Sequence, residues 1–249
     1  MYANVSGCRV YYERAGAGRP LLFLHGWGSS SQSFKPLFLR AAANRTAIAP
    51  DFPGFGLSAP PPHAWGTKEY AEMTKLFLDQ IGVASTDVLA HSFGARVALV
   101  LAREHPEKVG GLALTGAAGI RLKKSVPFYK RALSKIGKAA GVFGPPGVWI
   151  KNKIYSKIAS ADYLSAGAMR PVLVKVVNED LSPILPEISH KTLLLWGADD
   201  SDTTLAAGRA MNSGLKNSSL SVIDGAGHYA FLDKPDEFYS AIKDFLGLK

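Results

Sequence analysis

The sequence predicts an α/β fold, a mostly parallel sheet with helices on both faces. Three observations carry that prediction. Apolar runs of strand length alternate with helix-periodic segments along most of the chain. The strand-like runs, such as "TAIAP" and "TLLLW", are apolar almost throughout, as in strands buried on both faces. A chain of 249 residues that is 47% hydrophobic can also bury one sizeable core.

The elements follow in order. "RVYYERAG" (9–16) reads as a strand ending in a turn, and "PLLFLHGWGSS" (20–30) as a buried strand entering a Gly-rich loop. "TAIAPDFPGFGLS" (46–58) is a third strand with a Pro/Gly-punctuated loop behind it. Tyr70, Met73, Phe77 and Ile81 recur at helical spacing and predict a helix over 67–81, with Thr67 as N-cap. "DVLAHS" (87–92) is a strand, "GARVALVLAREHP" (94–106) a helix stopped before Pro106, and "VGGLALTG" (109–116) a strand. After a less regular middle, "KTLLLWG" (191–197) and "LSVIDGAG" (220–227) are strands, with the helical "LAAGRAMNSG" (205–214) between them. "PDEFYSAIKDFLG" (235–247) closes the chain as an amphipathic helix ending in glycine. There is no internal repeat.

Composition narrows the function classes. No apolar run approaches the ~20 residues of a membrane helix, and the first residues form no charged-then-apolar leader, so a cytoplasmic protein without an integral membrane segment is expected. Cys8 is the one cysteine, which excludes an intrachain disulfide and a thiolate cluster. No histidines and carboxylates stand at metal-ligand spacing, so neither a metal nor another cofactor is expected. The net charge is +9, but no nucleic-acid recognition motif accompanies it.

In sheets of this kind chemistry gathers at the carboxyl ends of the strands. Ser92 stands at one, within Ala90-His91-Ser92-Phe93-Gly94, where small flanking residues permit a sharp strand-to-helix turn. A serine hydroxyl needs a base, and the base needs an orienting group. "GAGHYAF" supplies His228 in a loop after a late strand. "LLLWGADDSD" supplies Asp200 just past the preceding strand; Asp199 and Asp202 compete, but the strand-Gly-x-x-Asp spacing favours Asp200. In "FLHGWGSS", Gly26-Trp27-Gly28 can aim the backbone N–H of Trp27 at an oxyanion, with that of Phe93 as second donor. His25 and His91 border the site and read as structural, bonding the loops around the oxyanion hole. His63, His105 and His190 read as surface residues, and Asp51 as a brace for its own loop.

The motifs "LHGWG", "DFPGFGLS", "AHSFGA", "LLLWGADD" and "GAGHYAFLDKPDEF", in this order over residues 20–245, resemble those of capped α/β-hydrolase-fold enzymes. That group holds carboxylesterases, cofactor-free haloperoxidase-like esterases, prolyl aminopeptidases and carbon–carbon bond hydrolases. The resemblance implies Ser92 as nucleophile, His228 as base, Asp200 as its orienting carboxylate, and Trp27 and Phe93 as oxyanion amides. Ala90 and Ala95 depart from the family's commoner glycines. The resemblance also implies a core of residues 1–117 and 190–249, interrupted by a helical cap over 118–189.

The activity implied is hydrolysis of a small-molecule carboxylic ester or thioester, anionic ones included. Cleavage of a carbon–carbon bond in a vinylogous diketone is the alternative, although those enzymes carry Asn and Met around the serine and Trp after the histidine. Here the residues are His91, Phe93 and Tyr229. A slow ligand receptor is the third reading. A haloalkane dehalogenase is disfavoured, because its nucleophile is an aspartate at the Ser92 position.

The charge is unevenly placed. Between Val109 and Ser160 stand 10 basic residues and no acid, which leaves 19 basic against 20 acidic residues elsewhere. Tyr129, Ala132, Leu133, Ile136 and Ala140 form an apolar stripe opposite several of these cations. The stretch reads as a solvated cap face, with capture of an anionic substrate or surface as its functional alternative.

Overall fold

The computed structural model describes residues 1–121 and 161–249. The expected stripe over 129–140, and every cation of the basic stretch except Arg121, lie outside them.

Eight strands form one sheet: β1 (Tyr2–Val5), β2 (Cys8–Ala15), β3 (Pro20–Leu24), β4 (Thr46–Pro50), β5 (Thr86–His91), β6 (Val109–Thr115), β7 (Thr192–Gly197) and β8 (Ser218–Ile223). Their spatial order is β1-β2-β4-β3-β5-β6-β7-β8. β2 runs antiparallel to both β1 and β4, while the pairings from β4 across to β8 are parallel.

The helices are α1 (Lys35–Ala41), α2 (Thr67–Gln80), α3 (Phe93–Glu104), α4 (Ala161–Ser165), α5 (Arg170–Asn178), α6 (Leu205–Gly214), α7 (Ala230–Asp233) and α8 (Pro235–Leu246). α4 and α5 fall between β6 and β7, with short 3-10 turns at Gly167–Met169 and Ser182–Glu187.

The uninterrupted apolar runs have a direct cause. Successive strand residues face opposite sides of the sheet, and both sides are covered here. Leu22, Leu24, Val88, Ala90, Leu112, Leu114, Leu194 and Trp196 enter one core with α2, α3 and α6. Leu21, Phe23, Leu89, Ala113, Leu193 and Leu195 enter a second core with α1 and α8. At about 25 cal/mol per Å², each fully buried Leu or Phe favours this arrangement by about 2 kcal/mol.

Two of the differences from the sequence reading concern α2 and α1. The cap of α2 is Gly66, whose N–H is taken by Glu69 Oε2 at 2.9 Å, and Thr67 is the first helical residue. α1 is a short helix that the sequence reading leaves as loop, entered through a 3-10 turn at Ser31–Phe34.

β3 pairs with β4 on one side and β5 on the other, so consecutive connections leave it in opposite directions. That divergence opens a crevice at the carboxyl ends of these strands. The loops after β3, β5, β7 and β8 meet there.

Candidate active site

Ser92 follows the last residue of β5 and precedes α3, with φ 50° and ψ −107°. It is one of two non-glycine residues with positive φ among the described residues. Such a conformation costs on the order of 1–3 kcal/mol and persists where surroundings enforce it. Ser92 N–H donates to the Thr115 carbonyl at 3.1 Å, and its carbonyl accepts from Arg96 and Ala118 N–H, both at 3.3 Å. Gly94 is indispensable to the turn, because a β-carbon there would stand 2.2 Å from the Leu24 carbonyl oxygen. Ala90 and Ala95 need no glycine, since neither has positive φ and both fit the core.

Asp200 sits in the loop after β7, and four donors converge on its carboxylate. Oδ1 accepts from the N–H groups of Asp202 (2.9 Å) and Thr203 (2.8 Å). Oδ2 accepts from Thr203 Oγ1 (2.8 Å) and His228 Nδ1 (2.9 Å). Burial alone would raise its pKa, but the bond and field of His228 and the Thr203 donors outweigh it, holding the carboxyl below its ordinary range. Asp199 and Asp202 are exposed and neither bonds His228. The structure therefore brings Asp200, and not its two rivals, to the imidazole.

His228 lies in the Gly-rich loop after β8. That loop packs on the end of β7 so closely that a β-carbon at Gly197 would stand 2.2 Å from the Gly227 carbonyl oxygen. Gly227 N–H donates to Asp233 Oδ2 at 2.8 Å, tying the loop to α7.

Ser92, His228, Trp27 and Phe93 line one cavity of about 370 Å³, with Leu173 and Val176 of α5 across from them. The backbone N–H groups of Trp27 and Phe93 enter no hydrogen bond among the described residues. Their rings meet edge to face at 5.6 Å, and Phe55 closes the set at 4.8 Å from Trp27. A larger cavity of about 510 Å³ lies elsewhere, at the amino ends of the strands. It is organised by Asp87 bonding Arg19 and Arg45, at the edge of the sheet opposite Ser92.

His25 bonds the Trp27 loop: its Nδ1 donates to the Gly26 carbonyl at 2.8 Å, and Phe52 N–H donates to its Nε2 at 2.9 Å. His91 departs from the sequence reading. It bonds the His228 loop, through Nε2 to the His228 carbonyl at 3.0 Å. Asp51 braces two loops, accepting from Ser31 N–H (2.7 Å) and Leu57 N–H (2.8 Å). His105 pairs with Glu72 and His190 bonds the Pro106 carbonyl, both away from the cavity. Among the described residues no group of three or more His, Cys, Asp or Glu is arranged to hold a metal ion. Nor is any helix among them long and apolar enough to cross a membrane.

Thr203 escaped the sequence reading, although its hydroxyl bonds Asp200 and stands 3.3 Å from His228 Nδ1. A hydroxyl three residues beyond the loop aspartate was the available signal. Arg96 was also missed. From α3 it donates to the Val176 and Glu179 carbonyls at the end of α5, fixing that wall of the cavity.

Burial lowers the pKa of His25 from 6.5 to about 4. Burial, then the neighbouring His228, lowers that of His91 to about 3. Both are neutral when folded and protonate near 6.5 once unfolded. Their contribution to stability is full above the unfolded value and is lost as pH falls toward the folded ones. From pH 6 to 4.5 the unfolding free energy should fall by roughly 2–3 kcal/mol per pH unit, at about 1.4 per proton. Denaturant melts at fixed pH check this, and His25→Asn or His91→Gln should each remove about half the slope. A flat profile in that window would contradict the neutral burial of both rings.

Known proteins agree with this architecture. The Alpha/beta hydrolase family model matches residues 21–241. A 2-hydroxymuconate semialdehyde hydrolase from Pseudomonas sp. (strain CF600) is 25% identical over 262 residues, covering 97% of this chain and 91% of the relative. A pimeloyl-[acyl-carrier protein] methyl ester esterase from Neisseria meningitidis is 28% identical over 249 residues, covering 92% and 94%. The solved esterase from Exiguobacterium antarcticum superposes with a TM-score of 0.79 at 22% identity over 99% of each chain, which shows a common fold. With the sheet order, the loops that meet at its carboxyl edge and a family match spanning nearly the whole sequence, the chain belongs to the alpha/beta hydrolase family.

Proposed function

We propose that the protein is a serine hydrolase of small-molecule carboxylic esters, thioesters included, acting through an acyl-enzyme. The observation that carries the reading is the convergence of four chain segments at one cavity: Ser92 on its strained turn, His228 bonded to a four-donor Asp200, and two unused amides, those of Trp27 and Phe93. Ser92 Oγ attacks the ester carbonyl while His228 Nε2 accepts its proton. Asp200 keeps the hydrogen on Nδ1, which leaves Nε2 free to act as base, and stabilises the imidazolium. The tetrahedral oxyanion is received by the Trp27 and Phe93 N–H groups, fixed before the charge develops. Collapse expels the alcohol, protonated by His228, and water repeats the sequence on the acyl-enzyme. No step requires a metal or other cofactor. On this reading the segment 118–189 is a cap over the site, and its α5 residues help to choose the substrate.

A p-nitrophenyl ester series from acetyl to palmitoyl, run beside a meta-cleavage diketone, tests the reading. Multiple turnovers are expected on at least one ester, at rates above those on the diketone. Turnover of the diketone alone would instead favour carbon–carbon cleavage. A single stoichiometric burst on every compound would leave a receptor.

A further inference from the structure

One buried group beside the cavity has no task in the mechanism above. His91 is the last residue of β5, adjacent to Ser92, and is 1% exposed. Its Nε2 faces the His228 carbonyl at 3.0 Å, so that nitrogen carries the hydrogen and donates it. The ring lies 4.7 Å from those of His228 and Tyr229 and 5.2 Å from that of Phe231. Its Nδ1 is buried without a partner among the described residues and faces Gly26, where a β-carbon would stand 2.7 Å away. One ring thus touches the nucleophile strand, the base loop and the oxyanion loop.

We propose that His91 is a positioning residue, an uncharged brace that fixes the main chain of His228 against Ser92 and the Gly26–Trp27 loop. The inference rests on the hydrolase reading given above. In the base loop Gly225 has φ +65°, and a second glycine, Gly227, stands two residues on. Among the bonds that hold the segment are Asp199 N–H to the Ala226 carbonyl, Gly227 N–H to Asp233, His228 Nδ1 to Asp200, and His91 Nε2–H to the His228 carbonyl. The Asp200 bond orients the ring, but the ring can pivot about that contact. The carbonyl bond fixes the backbone from which the ring projects, and so the distance from Nε2 to Ser92.

The brace also has to remain neutral. The titratable groups around it are His228, Asp200, His25 and Tyr229, and His228 becomes an imidazolium in each half-reaction. A second cation 4.7 Å away would oppose that charge. Deep burial keeps the proton off His91, so the charge that appears is confined to His228.

The test compares His91→Gln with His91→Asn. The Gln amide reaches the place of Nε2, whereas the Asn amide stops short of the His228 carbonyl. On a neutral p-nitrophenyl ester, His91→Asn should lower kcat by about 10²-fold, the order expected when a reacting group is displaced by about 1 Å. KM should stay within about threefold, because ground-state contacts are unchanged. His91→Gln should recover most of the lost kcat. Thermal melts establish that both variants are folded; should His91→Asn not fold, His91→Phe, which fills the ring's place without a donor, replaces it. Wild-type kcat in the folded Asn or Phe variant would overturn the proposal, as would His91→Gln proving as slow as His91→Asn. Ser92→Ala tests the underlying reading separately, since full activity in that variant would remove the reaction that His91 is argued to serve.

Discussion

Ser92→Ala is expected to abolish ester hydrolysis and labelling by a fluorophosphonate, with the fold unchanged. Loss of a triad serine lowers kcat by about 10⁶-fold, leaving only the contribution of substrate binding and the oxyanion amides. The structure gives reasons for so clean a result. The backbone of Ser92 is held by three main-chain bonds, to Thr115, Arg96 and Ala118, none of which uses the hydroxyl. Removing the oxygen therefore leaves the turn in place, and circular dichroism and melting temperature should match those of the wild type. Labelling that persisted in Ser92→Ala would mean that another residue carries the nucleophile.

Asp200→Asn is expected to cut turnover by about 10²–10⁴-fold while fluorophosphonate labelling remains slow but detectable. The cause lies in the four donors that surround this carboxylate. A carboxylate accepts on both oxygens, but an amide offers one acceptor and one NH₂. If the amide oxygen faces His228, the NH₂ points at the N–H groups of Asp202 and Thr203. If it faces those N–H groups, the NH₂ points at His228 and drives the hydrogen from Nδ1 to Nε2, where it blocks the base. Neither orientation preserves both sides of the site. Asp199→Asn should stay near wild-type activity, because its exposed side chain makes no contact with His228. Full activity in Asp200→Asn beside a dead Asp199→Asn or Asp202→Asn would reverse the assignment of the acid.

The parallel sheet was legible because both its faces are buried, which leaves β3, β5, β6 and β7 apolar without alternation. The positions of Ser92, Asp200 and His228 were legible for a related reason. Each follows a readable strand, so a motif at its end has a known location. α1 was not legible, since seven residues after a Gly-rich loop give too short a period to separate from irregular chain. Thr203 and Arg96 were hidden for another reason. Their roles depend on which carbonyls and carboxylates the fold brings to them, as with Arg96 and the Glu179 carbonyl 83 residues away. His91 shows the limit most clearly. Its place beside the serine was evident, but its choice of the base loop over the oxyanion loop is a matter of tertiary geometry.

The separation between His91 and His228, 137 residues along the chain, bears on how the protein comes into being. Parallel pairing of β6 with β7, then of β7 with β8, must precede any meeting of serine and base. Contacts this distant in sequence form late, because the entropy of closing the intervening loop is lost before they can compensate for it. During synthesis the chain emerges from the amino terminus onward. A ribosome thus delivers Ser92 well ahead of Asp200 and His228. On the proposed mechanism the unfinished chain displays an inert alcohol, and reactivity switches on only when the last strand has docked.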